Sequence, residues 1–524
     1  MSRAASQSIQ IRKPAIKTEK GLVASQNRIA SEIGADALRK GGNAIDAAIA
    51  TSFALGVVEP WMSGIGGGGY MIIRRAGDDG AQVVDFGMRT PAELKIDDYP
   101  VIGGKASDLF PWPVVEGDTN VFGAKAVAIP GQVAGMAKAH EAFGSLPWAD
   151  LVAPAVIEAE EGLMVDWYAQ LILAGAAKGL AKFPASRAAY LDEDGFPKAS
   201  AWTALDQTRC DQSTLATTLA AIASQGPSAF YRGAIAQSIV DDLQSAGGRH
   251  TLEDLSGYQA KIVTASEFEY KGHRVFGTPE MTAGPTLERV LQMLKDWSPS
   301  GSKTTDQDFA IFDRVIREAN QERFETMGDL EHELAPSCTT HFNVVDDQGT
   351  IVSVTQTLLS IFGSRMTLPK SGVLMNNGIM WFDPELGKPN SIGPNKRCLA
   401  NMCPTLLERS DGTRFGLGAA GGRKIMPAVA QLTSYLLDFG MDADSAIHEP
   451  RIDVSLTDTT IADNALQAGV RNGLRRKLPS LSEAPRTVYP YNFACPSIVE
   501  RSGPCNAGAT EIMAYWADTV SADD

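Results

Sequence analysis

The sequence predicts an α+β fold, and three observations carry that expectation. Helical periodicity recurs as far as residue 327, strand-like alternation sets in from Thr340, and no internal repeat or low-complexity linker separates the two regions. The 524 residues are 44% hydrophobic and 21% charged, which is ordinary globular composition with ample material for a large core. Disordered and collagen-like chains are excluded. A length prior of about 100–200 residues per domain suggests roughly three domains. The missing linkers argue instead for one large layered body.

Taken in order, residues 1–20 are polar and read as an arm. The spacing predicts a helix over 31–40, with Ile33, Ala37 and Leu38 on one face and Gly41-Gly42 as its stop. A second, largely apolar helix follows over 43–58 and ends at Glu59-Pro60. A glycine run at 64–69 leads into a strand over 71–75. Short strands and loops fill 80–130, and helices fill 131–256 with breaks at Pro147, Pro154, Pro184 and Pro227. Residues 275–284 read as a loop entering a helix over 287–294, and 309–327 as a long helix. Strands over 341–345 and 350–358, joined by the turn Asp346-Asp-Gln-Gly349, form a hairpin. A short strand over 414–418 runs into Ala419-Ala-Gly-Gly-Arg-Lys424, and a helix over 426–437 follows.

Charge and motifs exclude several classes. A net charge of −15 and a pI near 5.0 disfavour a nucleic-acid partner, which needs a basic face. Six cysteines with no Cys-x-x-Cys pair make neither a disulfide scaffold nor a zinc site; Cys398 and Cys403 lack a histidine cluster and read as reduced, buried thiols. The N-terminal residues lack an apolar h-region, and the apolar stretch 47–58 is shorter than the roughly 20 residues that cross a bilayer. The expectation is a soluble, cytoplasmic protein without membrane contact. The glycine run lacks a Gly-Lys-Ser/Thr ending and precedes a strand, so a tight turn or a backbone packed close to a site fits better than a phosphate loop. No Gly-x-Ser-x-Gly elbow and no His-Glu-x-x-His occurs.

Cys338-Thr339-Thr340-His341 opens a strand after a loop-like stretch. A threonine hydroxyl is a poor nucleophile unless its own α-amino group is free to take the proton, which requires the preceding peptide bond to be cut. Composition cannot show such a cut, and a Thr-Thr pair at a strand start is also plain β-propensity.

Motifs along nearly the whole chain add a resemblance. Gly-Gly-Asn-Ala-Ile-Asp-Ala-Ala-Ile-Ala (41–50), Gly-Ile-Gly-Gly-Gly-Gly-Tyr (64–70), Pro130-Gly-Gln-Val-Ala-Gly135, Thr251-Leu-Glu-Asp-Leu-Ser-Gly-Tyr258 and Thr339-Thr-His-Phe-Asn-Val-Val-Asp-Asp-Gln-Gly349 follow one another in order. Together they resemble the γ-glutamyltransferase (glutathione hydrolase) family of autoprocessing N-terminal nucleophile hydrolases. The resemblance implies a four-layer αββα sandwich, made as one precursor and cut between Cys338 and Thr339. Its large chain (1–338) and small chain (339–524) would stay together as one intertwined domain. Thr339 would then supply both hydroxyl and amine. Thr357 matches the family's second threonine, and Gly421 and Gly422 match the pair whose N–H groups hold the oxyanion. No cofactor and no metal is implied, and a homo-oligomer stays open.

The family's glutamate readers are changed. Typical members carry Asp-Phe-Arg-Glu, whose arginine grips the substrate α-carboxylate; here the run is Asp85-Phe86-Gly87-Met88-Arg89. Two serines before Met-Ser-Pro-Thr become Ala400-Asn401, the asparagine after the second threonine becomes Leu359, and the two readers of the α-amino group fall on Gly378 and Trp381. Recognition of a buried ammonium needs paired acceptors. The expectation is therefore an amidohydrolase acting on another amide, either a small acidic one such as oxamate or an acylated amine. Arg89, Arg365, Asn401 and Arg423, with Trp381, are the candidate substrate contacts. Glutathione hydrolysis with γ-glutamyl transfer is the alternative, and an unprocessed, non-catalytic homologue a further one.

Overall fold

The first helices form where the sequence caps them. Asn27 accepts the Ile29 N–H at the head of the helix Arg28–Arg39. Asn43 and Asp46 make a reciprocal capping box at the head of the helix Ala44–Val58. Gly56 is the one residue of this second helix that is not buried. A helix apolar on all sides must lie inside the protein, and this one packs beneath a sheet. The protein is described by a computed structural model covering residues 11–104, 112–200, 203, 207–326, 338–455 and 458–523, with backbone alone for 324–326 and 338.

Two seven-stranded sheets organise the described chain. One runs in the order Asp518–Ser521, Leu22–Ser25, Cys338–Val345, Ile351–Leu359, Gly68–Arg74, Gln82–Phe86 and Lys261–Thr264. The other runs Ile16–Thr18, Cys505–Thr510, Cys495–Ser502, Arg414–Ala420, Thr405–Glu408, His273–Gly277 and Ser266–Tyr270. Neighbouring strands in both pair antiparallel. Side chains alternate between faces along each strand, and the contacts follow that period. Phe342, Val344, Val352 and Val354 join a core with the first two helices, whereas Val345, Ile351, Tyr70 and Ile72 meet Phe276, Leu406 and Val499 of the other sheet. Phe415, Leu417 and Ala419 turn the other way and pack with the helices Gly284–Met293, Asp306–Thr326 and Ile425–Leu437.

Three local expectations are corrected. Ile16–Thr18, inside the expected arm, is an edge strand on Cys505–Thr510; residues 1–10 lie outside the described residues. Pro154 does not break its helix, which runs Trp148–Glu161 through it. Loss of the bond to the Asp150 carbonyl costs roughly 3 kcal/mol, and burial of Leu151, Val152, Ala155 and Ala159 outweighs it. Residues 275–277 belong to the strand His273–Gly277, which forms a hairpin with Ser266–Tyr270 across Lys271-Gly272 and also pairs with Thr405–Glu408. Pro147, Pro184 and Pro227 do stand at helix starts.

The glycine run brings backbones together. A Cβ on Gly67 would lie 2.2 Å from the Thr357 carbonyl oxygen, and one on Gly69 would lie 2.3 Å from that of Thr355. Both neighbours are backbone and cannot rotate away. Gly67→Ala is expected to cost about 1–3 kcal/mol of stability and to displace Thr357. A lowered urea midpoint together with reduced turnover is the expected readout; an unchanged midpoint refutes the packing argument.

Candidate active site

Thr339 sits at the head of the strand Cys338–Val345, 3% exposed. Its strand pairs with Ile351–Leu359, but the register slips at this point. Cys338 opposes Leu359 while Thr340 opposes Gln356, so Thr339 faces both Thr357 and Leu358. A bulge of this kind re-aims a side chain. Here the Thr339 hydroxyl lies 3.3 Å from the Thr357 hydroxyl, and Thr357 Oγ1 also accepts the Leu359 N–H at 2.8 Å. Leu359 takes a left-handed φ of 84°, which costs a side-chain-bearing residue of order 1–3 kcal/mol.

The facing sheet completes the surroundings. Gly418 lies against His341, where a Cβ would come 2.3 Å from the ring, and Gly416 lies against Asn343 and Ile351. Arg414–Ala420, the strand that carries both of these glycines, ends at Ala420. Gly421 and Gly422 follow at once, with φ of 128° and 60°. Both values are glycine territory.

Further along the same face lies a polar ladder. Asn343 Nδ2 donates to Ser497 O and Oγ at 2.9 Å and stands 3.0 Å from His341 Nε2. That makes Nε2 an acceptor, so Nδ1 carries the proton and donates to Thr355 Oγ1 at 2.9 Å. Burial lowers the His341 pKa to about 3. The ring is therefore neutral across the range in which an α-amine titrates, about 7.7–8.0 before burial. An acid limb in kcat/KM at or below that range is expected to survive in His341→Asn; its disappearance from a cut, folded variant would assign the limb to His341.

Beside the strand head is an apolar wall. Leu359, Trp381, Met402, Ala400, Cys398 and Met88 share one buried cluster, and Cys398 Sγ reaches the Gly378 carbonyl at 3.4 Å. Trp381 is 3% exposed, and its Nε1–H has no partner among the described residues. Asn401 is half-buried at the edge of this wall. Burial pushes the Cys403 thiol up to about 12 and Cys398 higher still. No group of three metal-ligating side chains occurs among the described residues.

The candidate arginines differ in their surroundings. Arg89 pairs by backbone with Ile129 and with Arg397, its charge acts on the Tyr258 phenol, and it makes no ion pair among the described residues. Arg365 packs over Phe122 at 4.9 Å and donates to the Gly363 carbonyl at 2.8 Å. Arg423 follows Gly422, half-buried. Two charged groups near the site are absent from the sequence reading. Arg397 bridges Asp85 and Glu280; it sits in an unremarkable Asn-Lys-Arg run, and only Asp85 in the altered Asp-Phe-Gly stretch points to it. Glu59, read there as a helix stop, is 2% exposed and hydrogen-bonds to Thr340. The helix ends at Val58 with Glu59 as its cap, so the stop is real, and the carboxyl has a second place in the structure.

The family model described as Gamma-glutamyltranspeptidase matches residues 30–338 and 313–489. The chain is 33% identical over 483 residues to the Acylase ACY 1 proenzyme of Pseudomonas sp. (strain V22), covering 84% of this chain and 83% of that protein. It is 30% identical over 488 residues to the Glutathione hydrolase proenzyme of Bacillus subtilis (strain 168), covering 82% and 80%. Its fold is similar to that of the cephalosporin acylase from Bacillus halodurans, with a TM-score of 0.83 over 99% of each chain at 22% identity. Among the described residues no helix is long and apolar enough to cross a membrane.

Proposed function

The chain belongs to the γ-glutamyltranspeptidase family and is an amidohydrolase of it, and from that premise we propose that it is made as a precursor, cut between Cys338 and Thr339, and hydrolyses an amide whose acyl part carries no α-ammonium. The observation that carries this reading is the buried Thr339 hydroxyl, 3.3 Å from that of Thr357.

In the cut enzyme the Thr339 amine takes the hydroxyl proton as Oγ attacks the amide carbonyl. The N–H groups of Gly421 and Gly422 receive the oxyanion, and loss of one such donor costs about 3–4 kcal/mol of barrier. Thr357 holds the nucleophile in place. The leaving amine collects the proton, and water or an acceptor amine then releases the acyl group from the ester.

The substrate follows from the wall beside Thr339. Leu359 and Trp381 cannot accept from an ammonium, and buried acceptors are what an ammonium needs. A carboxylate on the acyl chain would be met by Arg89, which makes no ion pair among the described residues, with Asn401, Arg423 and Arg365 as further contacts. The kinship with an acylase proenzyme supports the same direction, and the kinship with glutathione hydrolase proenzymes keeps γ-glutamyl amides as the second reading. The first test is the mass of the purified wild-type protein. Two chains, the smaller beginning at Thr339, are expected; a single species of 55.8 kDa after long incubation overturns the mechanism.

A further inference from the structure

Glu59 is a buried carboxyl that the mechanism above leaves unused. It caps the second helix and reaches under the nucleophile strand from the face opposite Thr339. The Thr340 hydroxyl lies 3.2 Å from Glu59 Oε2 and 3.4 Å from Gln26 Oε1. Gln26 cannot be turned round to offer its amide instead, because Nε2 donates to the Cys495 carbonyl at 3.2 Å. One hydroxyl proton therefore faces two acceptors, and a hydroxyl serves only one as donor. The count closes when Glu59 carries a proton: Glu59 donates to Thr340, and Thr340 donates to Gln26. Burial acts the same way and raises the Glu59 pKa to about 8.

We propose that Glu59 is the acid–base partner of the Thr339 α-amine, protonated in the uncut chain and its counter-ion once the cut exposes that amine. This rests on the processing proposed above. Thr340 is the next residue, and consecutive Cα atoms are about 3.8 Å apart, so the new amine lies on the order of 8 Å from the Glu59 carboxyl. Transfer of the carboxyl proton to the amine leaves a carboxylate and an ammonium, with no proton gained or lost. The two groups then share one proton and titrate as a pair. Burial of Thr339 lowers the ammonium pKa, and the Glu59 carboxylate opposes that. At an effective dielectric near 20 the attraction amounts to about one and a half pH units.

The groups around Glu59 are few. Gln26 and Thr340 are neutral. Tyr491 and Cys495 lie close enough to feel its charge, and burial holds both well above their ordinary values, so they stay protonated near neutral pH. Beyond Cys495, Arg451 pairs with Glu511 at 2.6 Å, and the Lys13 ammonium is held by the carbonyls of Ala514 and Ala517. Glu59 is thus a positioning residue whose effect reads out in pH dependence.

Glu59→Gln is the discriminating variant, because its amide can donate to Thr340 as the protonated carboxyl does but cannot ionise. It is expected to fold and to cut like the wild type. The acid limb of kcat/KM for glutaryl-p-nitroanilide is expected to fall by about one and a half pH units, a roughly thirtyfold change in the amine's proton affinity. Competitive acetylation of the Thr339 amine with acetic anhydride across pH reads the same shift without turnover. A cut variant with an unmoved or raised limb overturns the proposal. So does a variant that stays whole or misfolds, since a neutral donor at this position would then not suffice. A wild-type chain that is never cut instead sinks the processing reading, and this proposal with it.

Discussion

Replacement of Thr339 by Ala is expected to leave the chain whole at 55.8 kDa and without amidase activity. On the proposed mechanism the precursor reaction and the enzyme reaction use the same oxygen. In the first, Thr339 Oγ attacks the Cys338 carbonyl and the C–N bond shifts to an ester, which water then opens. Alanine offers no such oxygen, and the bond stays intact. Without the cut there is also no free amine, so nucleophile and base vanish together. Groups that act as one unit give losses near 10⁶-fold when one is removed, and that magnitude is expected in kcat. Thr339→Ser keeps the hydroxyl and is expected to be cut and active, though the methyl that packs the buried corner is gone. Denaturing gels with N-terminal sequencing decide the matter. Cleavage of Thr339→Ala at the same bond would falsify the self-processing mechanism.

The second large effect lies in the substrate. Glutaryl-p-nitroanilide and γ-glutamyl-p-nitroanilide differ only in the α-ammonium. Leu359 stands at the strand head opposite Cys338, and Trp381 is buried in the same apolar cluster. An ammonium brought here loses its water and gains no acceptor from either side chain, which costs about 1–3 kcal/mol or more. The glutaryl compound is therefore expected to have a kcat/KM about 10- to 100-fold higher. Arg89→Ala is expected to weaken it mainly through KM if Arg89 holds the carboxylate in ground and transition states alike. Preference for the γ-glutamyl compound would show that other residues read the ammonium, and the protein would then be a glutathione hydrolase.

Much of the fold was legible because the relevant signals are local. Asn43 heads a helix because a short polar side chain can accept the first free N–H groups, and Glu59-Pro60 ends it. The hairpin around Asp346–Thr350 is written in strand alternation and turn residues, and its strands extend from the expected 341–345 and 350–358 to Cys338–Val345 and Ile351–Leu359. The helix at 425–437 begins one residue from its expected place. Where the deciding partner lay far along the chain, the local signal failed. Pro154 sits in an unbroken helix because a buried face outweighs a missing bond, and Ile16–Thr18 becomes an edge strand only by pairing with Cys505–Thr510.

The sequence by itself determined the family pattern, the order of the elements and the threonine at the head of a strand, and it placed Leu359, Gly378 and Trp381 where the resemblance expects ammonium readers. These are statements about residue type and short-range period, which sequence carries directly. Only the tertiary structure decided which groups meet. The register slip that turns Thr339 to Thr357, the glycines that admit His341 between the sheets, the Asp85–Arg397 pair and the carboxyl of Glu59 beneath Thr340 all join segments brought together by packing. Glu59 and Thr340 are 281 positions apart. The protonation of a buried carboxyl depends on the donors and water around it rather than on its neighbours in the chain, so no pattern near Glu59 could have announced it.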